Sequence, residues 1–248
     1  MTPDRWREHY AAIVHDFKFD PEADAAAARL LATLLQRPAG VAELASRLGG
    51  RDVHVVGASR ALASLDAHAL PRPLVATDGA CGRLAAAGVV PDVIVTDLDG
   101  DVAAQVACAA RGALVCVAAH GDNVPALRRW APRLSNAIGT TQVPTEGQSQ
   151  AQGQGEGRGQ GRGDADPGWW PPPGIVATPG FTDGDRACFL AALGGAASVT
   201  LHAFDFETPG PSSRDPATKQ RKLAWARRLL GELPIPWRLA DAPHASPP

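Results

Sequence analysis

Short apolar runs recur along the chain, and each stops abruptly at polar residues or glycine. They lie at residues 53–57 (VHVVG), 73–77 (PLVAT), 93–96 (VIVT), 113–118 (ALVCVA), 136–138, 174–178 (GIVAT) and 199–202 (VTLH). Runs of this length, rich in valine and bounded by turn residues, predict buried parallel strands. Between them the apolar positions shift to helical spacing over 61–70, 80–87, 102–110, 124–130, 186–193 and 219–231. Alternating strands and helices predict an α/β fold: a doubly wound, mostly parallel sheet. The last strand is expected to continue to 206, and a further one is expected over 234–239.

A helical N-terminal segment precedes the first strand. Trp6, Tyr10, Ile13, Val14 and Phe17 fall at helical spacing and predict one packed face. A second helix should run from Pro21 to about Leu35, with Asp20 as its N-cap and Pro21 in its first turn. A short third helix, 41–48, should end at Gly49 and Gly50. The expected division is therefore a helical segment over 1–50 and an α/β domain over 51–240.

One stretch breaks the pattern. Residues 146–168 are Gly/Gln-rich and cannot bury enough apolar area to offset their ordering entropy, so a disordered surface insertion is expected. Its Arg158 and Arg162 are opposed by Glu156, Asp164 and Asp166, which argues against RNA binding. The tail 244–248 is expected to fray.

Polar clusters follow successive strands: Asp78, then Asp97 and Asp99, then His120, Asp122 and Asn123, then Thr140, Thr141 and Gln142. A parallel sheet gathers all of these along one edge, where open α/β sheets bind ligands. The sharpest cluster is PDVIVTDLDGD, residues 91–101. If the strand continues, Asp97 and Asp99 project on the same side. Ionised carboxylates at a buried strand end are costly unless a cation meets them. Mg²⁺ carrying phosphates is the natural partner for such hard oxygen ligands.

Composition narrows the function. A formal charge of −2 gives no general attraction to nucleic acid or anionic membrane. No apolar run is long enough to span a bilayer. Met1 to Tyr10 is polar and charged, unlike a secretory leader. The four cysteines, Cys81, Cys108, Cys116 and Cys188, lack metal-ligand spacing and predict buried thiols in a cytoplasmic protein. GxSxG is absent, as is GxxxxGK followed by Ser or Thr. A triphosphate would then be held by carboxylate-bound Mg²⁺, helix N-termini and scattered basic residues. Gly57-Ala58-Ser59 opens one such helix, while Lys219, Arg221 and Lys222 either face phosphates or are simply solvated.

Several motifs together carry a family resemblance. They are Asp78-Gly79-Ala80, PDVIVTDLDGD, His120-Gly121-Asp122-Asn123, Gly139-Thr140-Thr141-Gln142, and the run from Gly180 through Thr182 and Asp183 to Arg186. Over about residues 50–230 the chain resembles the archaeal 6-hydroxymethyl-7,8-dihydropterin pyrophosphokinase family, which is related to the thiamine pyrophosphokinase catalytic domain. The resemblance implies that fold and an Mg²⁺-dependent transfer of diphosphate from ATP to the pterin alcohol, releasing AMP. Such a reaction serves tetrahydromethanopterin or folate-type pterin synthesis.

By the same resemblance Asp97 and Asp99 are metal ligands, and Asp78, with Gly79, completes the metal or phosphate site. Thr182 and Asp183 match the pair that opens a helix in the thiamine enzymes. Arg186 stands where those enzymes carry a phosphate-contacting lysine. His120, Asp122 and Asn123 go to ATP or pterin binding. A homodimer is also implied. On chemical grounds a primary alcohol needs a proton acceptor, for which Asp122 and Asp78 are the candidates. Two departures bear on the phosphate loops: Gly57-Ala58-Ser59 lacks the Gly-Pro-Ser of relatives, and Pro179 replaces a second glycine. Three other readings stay open. Thiamine could be the acceptor, though the HGDN and GTTQ runs argue against it. The chain could be a metal-dependent sugar transferase of the related motility-associated family, or a nucleotide binder without catalysis.

Overall fold

The computed structural model describes residues 1–145, 170–210 and 215–240, so the expectations for 146–168 and 244–248 lie outside the described residues. Three helices come first, α1 (Pro3–Phe17), α2 (Pro21–Leu34) and α3 (Val41–Leu48). Asp20 caps α2 by accepting from Glu22 N–H, and Pro21 occupies its first turn. Then come β1 (Asp52–Val56), β2 (Leu74–Thr77), α4 (Asp78–Ala86), β3 (Val93–Thr96), α5 (Val102–Ala110), β4 (Leu114–Ala119), α6 (Val124–Trp130) and β5 (Ala137–Thr141). The chain closes with β6 (Ile175–Ala177), α7 (Asp183–Leu193), β7 (Ser198–His202), α8 (Pro216–Leu230) and β8 (Trp237–Leu239).

The strands form one parallel eight-stranded sheet in the order β6-β5-β4-β3-β2-β1-β7-β8. Alternate strand residues face opposite layers. Val56, Ala76, Ile94 and Val115 meet α2, α4, α5 and α6, while Val53, Val75, Val95 and Cys116 meet α3, α7 and α8. The sheet is thus wound on both faces. All four cysteines are buried thiols. The α1 face packs Trp6, Tyr10 and Ile13 against Phe181, Phe189 and Leu229.

The topology places the site. From β1 the chain steps outward strand by strand to β6. It then returns under the sheet through α7, which packs on β1, β2 and β3, and emerges as β7 on the far side of β1. The start of α7 is thereby carried to the ends of β2 and β3.

Local sequence misled at several places, among them the strand expected over 234–239, which forms only as Trp237–Leu239. The helix expected over 61–70 is two short 3₁₀ turns, Arg60–Ser64 and Ala67–Ala69. Ser59 and Asp66 bond the N–H groups of Ala61 and His68, and such local bonds compete with a continuous helix. Thr140 and Thr141 lie inside β5, not after it. The run 199–206 stops as a strand at His202, because Ala203 is left-handed at φ 53°. Finally, α7 and α8 each start three residues early, at Asp183 and Pro216.

At the β1–β7 junction His54 Nδ1 and His202 Nε2 lie 2.9 Å apart. Burial holds both imidazoles low, with each other's proximity and Arg238 adding to the effect on His202, which falls to about 4. Asp52 partly opposes the shift of His54. An unfolded histidine titrates near 6.5, so between 6.5 and about 4 the unfolded chain binds more protons than the folded one. The contribution is present above 6.5 and is lost as the pH falls towards 4. Denaturant unfolding across this window should show a shallower acid loss for His202→Gln than for the parent. Equal slopes would remove the pair from the acid response.

Candidate active site

The site is built on three N-terminal helix turns and one tight loop. Asp78 opens α4 directly after β2, and it is almost wholly buried. Its Oδ2 accepts from Thr96 Oγ1 at 2.7 Å and from Asp99 N–H at 3.2 Å, and its Oδ1 accepts from Gln105 Nε2 at 2.7 Å. After β3 the chain does not stay extended. Leu98 turns left-handed at φ 67°, with its N–H on Thr96 Oγ1, so Asp97 and Asp99 meet across a turn and not along an extended strand. Gly100 passes so close that a Cβ there would fall 2.0 Å from Asp78 Oδ1. Asp101 then caps α5 through Ala104 N–H.

Asp183 arrives from the far side of the sheet at the start of α7. Asp185 holds that helix end by accepting from Phe181 N–H and Thr182 N–H at 2.7 and 2.8 Å. One oxygen each from Asp78, Asp97 and Asp183 lies within 4.8 Å of the others, the one such group among the described residues. Asp99 sits beside this group and outside it. Asp97 Oδ1 is buried with no hydrogen-bond partner. Asp97 and Asp183 each keep about 23% of their side-chain surface accessible, so the cluster is deep without being sealed.

The electrostatics are those of crowded carboxylates. Burial raises Asp78 and Asp183 above the usual range, the latter strongly, and Asp97's charge adds to both. Burial and Asp97 bring Asp99 to about 7. For Asp97 burial also acts upward, but the hydrogen bond and charge of His120 outweigh it and hold the group well below the usual carboxylate range. A hard divalent cation would relieve this repulsion and give the unpartnered Asp97 oxygen a partner, so the donor set fits Mg²⁺.

His120 lies between two carboxylates. Its Nε2 is 3.3 Å from Asp97 Oδ2, and its Nδ1 bonds Asp122. Burial alone would lower its titration; Asp122 and Asp97 reverse that and raise it to about 9. Asp122 itself stands exposed at the rim. Asn123 is buried, and its amide is fully used within the fold: Oδ1 accepts from His120 N–H, and Nδ2 donates to Asp97 O and Ala118 O at 2.8 and 2.7 Å. Asn123 therefore shapes the loop that aims His120.

Arg186 is buried on α7. Its NH1 is 3.6 Å from Asp183 Oδ1, and its NH2 donates to Gln142 Oε1 and Gly180 O, both at 3.3 Å. Its Nε has no partner. Gly180, at φ 126°, must be glycine, since a Cβ would meet Arg186 Cα at 2.5 Å. Gly79 packs against Ala58 at the start of α4. Of the GTTQ run only Gln142 reaches the site; Thr140 Oγ1 bonds back to Val117 O, and Thr141 Oγ1 accepts from Val143 N–H. Two supporting residues were not visible in the pattern of strand ends: Gln105, which faces Asp78 from α5, and Asp24 on α2, which accepts from Gln142 Nε2 at 2.9 Å.

Fold and site together define a doubly wound α/β protein with an acidic centre, and a buried arginine beside it, at the strand ends. The family model described as 6-hydroxymethylpterin diphosphokinase MptE-like matches residues 29–210, and the chain belongs to that family. Relatives carrying the name 6-hydroxymethyl-7,8-dihydropterin pyrophosphokinase are similar along most of their length. The one from Methanothermobacter thermautotrophicus is 35% identical, over 91% of this chain and 92% of its own. That from Pyrococcus furiosus is 32% identical, over 93% of each chain. That from Methanocaldococcus jannaschii is 30% identical, over 83% of this chain and 80% of its own. No helix among the described residues is long and apolar enough to cross a membrane.

Proposed function

We propose that this chain transfers diphosphate from ATP to the hydroxymethyl oxygen of 6-hydroxymethyl-7,8-dihydropterin in an Mg²⁺-dependent reaction that releases AMP. The observation that carries the reading is the convergence of Asp78, Asp97 and Asp183, with Asp97 Oδ1 buried and unpartnered, in a chain whose relatives bear that name.

Asp78, Asp97 and Asp183 are the residues that would hold the ion, with Asp99 beside them. When bound, Mg²⁺ neutralises phosphate charge and orients the reacting phosphorus. Arg186, with one N–H uncommitted, is placed to take charge that develops on phosphate oxygens. The N-termini of α4 and α7 add partial positive charge at the same edge. His120 holds Asp97 ionised and aimed. Among the acids, Asp99 stands beside the ion site and is the candidate placed to accept the alcohol proton. Asp122, kept ionised by His120, is a weaker base, and both oxygens of Asp78 are already taken.

Incubation with ATP, Mg²⁺ and the pterin alcohol should yield AMP and pterin diphosphate in equal amounts. Chromatography of the nucleotides and mass analysis of the pterin read both. ADP as main product would defeat diphosphate transfer. Faster turnover of thiamine would move the protein to the thiamine enzymes, and consumption of a nucleotide sugar instead of ATP would make it a sugar transferase.

A further inference from the structure

Asp24 lies on α2, far in sequence from every residue of the acidic centre, yet it is 4% exposed and joins several parts of the site. Its Oδ1 accepts from Gly121 N–H at 2.8 Å, in the loop that carries His120. Its Oδ2 accepts from Gln142 Nε2 at 2.9 Å and from Tyr10 OH at 3.3 Å. Burial and the Asp24 charge push the Tyr10 phenol up, so Tyr10 remains a donor. The approach is close: a Cβ on Gly121 would fall 2.6 Å from that of Ala23.

We infer that Asp24 is a positioning residue for the transfer reaction: it orients Arg186 through Gln142 and fixes the His120 loop. The inference rests on the diphosphotransferase reading for its role in turnover, though not for the geometry. The physical reason is directional. An ionised carboxylate only accepts hydrogen bonds. Gln142 must therefore offer Asp24 its NH₂ group, and its Oε1 is left facing Arg186 NH2. The guanidinium is held at that point, between Gly180 O and Asp183.

Asp24→Asn keeps the size and breaks this logic. If the new NH₂ faces Gln142, the glutamine amide flips and sets a donor against Arg186. If it faces Gly121 N–H, the His120 loop is displaced. Gln142→Glu on this background restores an acceptor towards both the introduced NH₂ and Arg186, with the charge moved from one position to the other. By itself Gln142→Glu opposes two carboxylates.

The test is a double-mutant cycle on the full chain, with two readouts: kcat per folded molecule, and Mg·ATP affinity by calorimetry. Asp24→Asn should lose about 10-fold or more in kcat, with little change in the KM of the pterin. The double variant should return to within about 3-fold of the parent, and each single change should be worse than the pair. Mg·ATP affinity should follow the same order. That readout stands even if the parent transfers no diphosphate to the pterin, so failure of the functional reading is told apart from failure of the relay. If Asp24→Asn does not fold, Gln142→Met cuts the same link and should show the same kcat loss. Parental kcat in the folded single variants, or a double variant no better than the singles, would overturn the inference. A purely structural Asp24 would lower the yield of folded protein without this rescue.

Discussion

Replacing Asp183 with asparagine is expected to lower turnover by about 10³-fold or more while raising the stability of the metal-free protein. The two effects share a cause. Asp183 faces Asp97 and Asp78, and lost hydration together with their charges raises its titration well above the carboxylate range. Without a cation the folded chain bears that repulsion, and asparagine removes it at constant size. With Mg²⁺ the same charge becomes ligand charge, and losing several kcal/mol of transition-state stabilisation is worth about three decades of rate.

The pH dependence has a definite sign. A raised folded value means that the folded state takes up the proton first, so this contribution grows as the pH falls through the folded value. Thermal unfolding in chelator at about pH 7 and about pH 5 should therefore show the largest gain for Asp183→Asn at the higher pH. A lower melting temperature there, or parental turnover at limiting Mg²⁺, would sink the assignment. Asp97→Asn should lose turnover similarly without the stability gain, because it also discards the partner of His120.

Arg186→Met should lower turnover by about 10²–10³-fold, with the opposite effect on stability. The guanidinium is 4% exposed and is a cation close to crowded carboxylates. Its removal leaves Asp183 unopposed and strands the acceptors Gln142 Oε1 and Gly180 O. Breaking a buried pair on one side costs about 3–5 kcal/mol. Arg186→Lys keeps the charge and loses the fork, so it should fall between parent and Met in both measures. Chelated protein as stable as the parent, or unchanged turnover, would show that Arg186 is not the balancing cation.

Much of this architecture is local in origin and can be read without coordinates. Apolar runs of strand length, glycine at helix ends and the Asp20-Pro21 cap each act over a few residues, so the α/β alternation and most element positions follow from the chain itself. Parallel topology then obliges the polar strand ends, from Asp78 to Gln142, to share one edge. Where short-range bonding competes, as at Ser59 and Asp66, or the backbone turns left-handed, as at Ala203, pattern alone overextends an element.

What tertiary structure decided is which of those edge residues meet. Strand order is not written in periodicity, and only the return of α7 beneath β1, β2 and β3 brings Asp183 to Asp78 and Asp97 while Asp99 stays beside the group. Asp99 reaches Asp97 across a left-handed turn at Leu98 and not along an extended strand. Asn123 became a loop brace and Asp24 a partner of Gln142 through contacts between distant segments. A polar residue's role depends on which donors and charges surround it in space, and those come from parts of the chain that no local pattern connects.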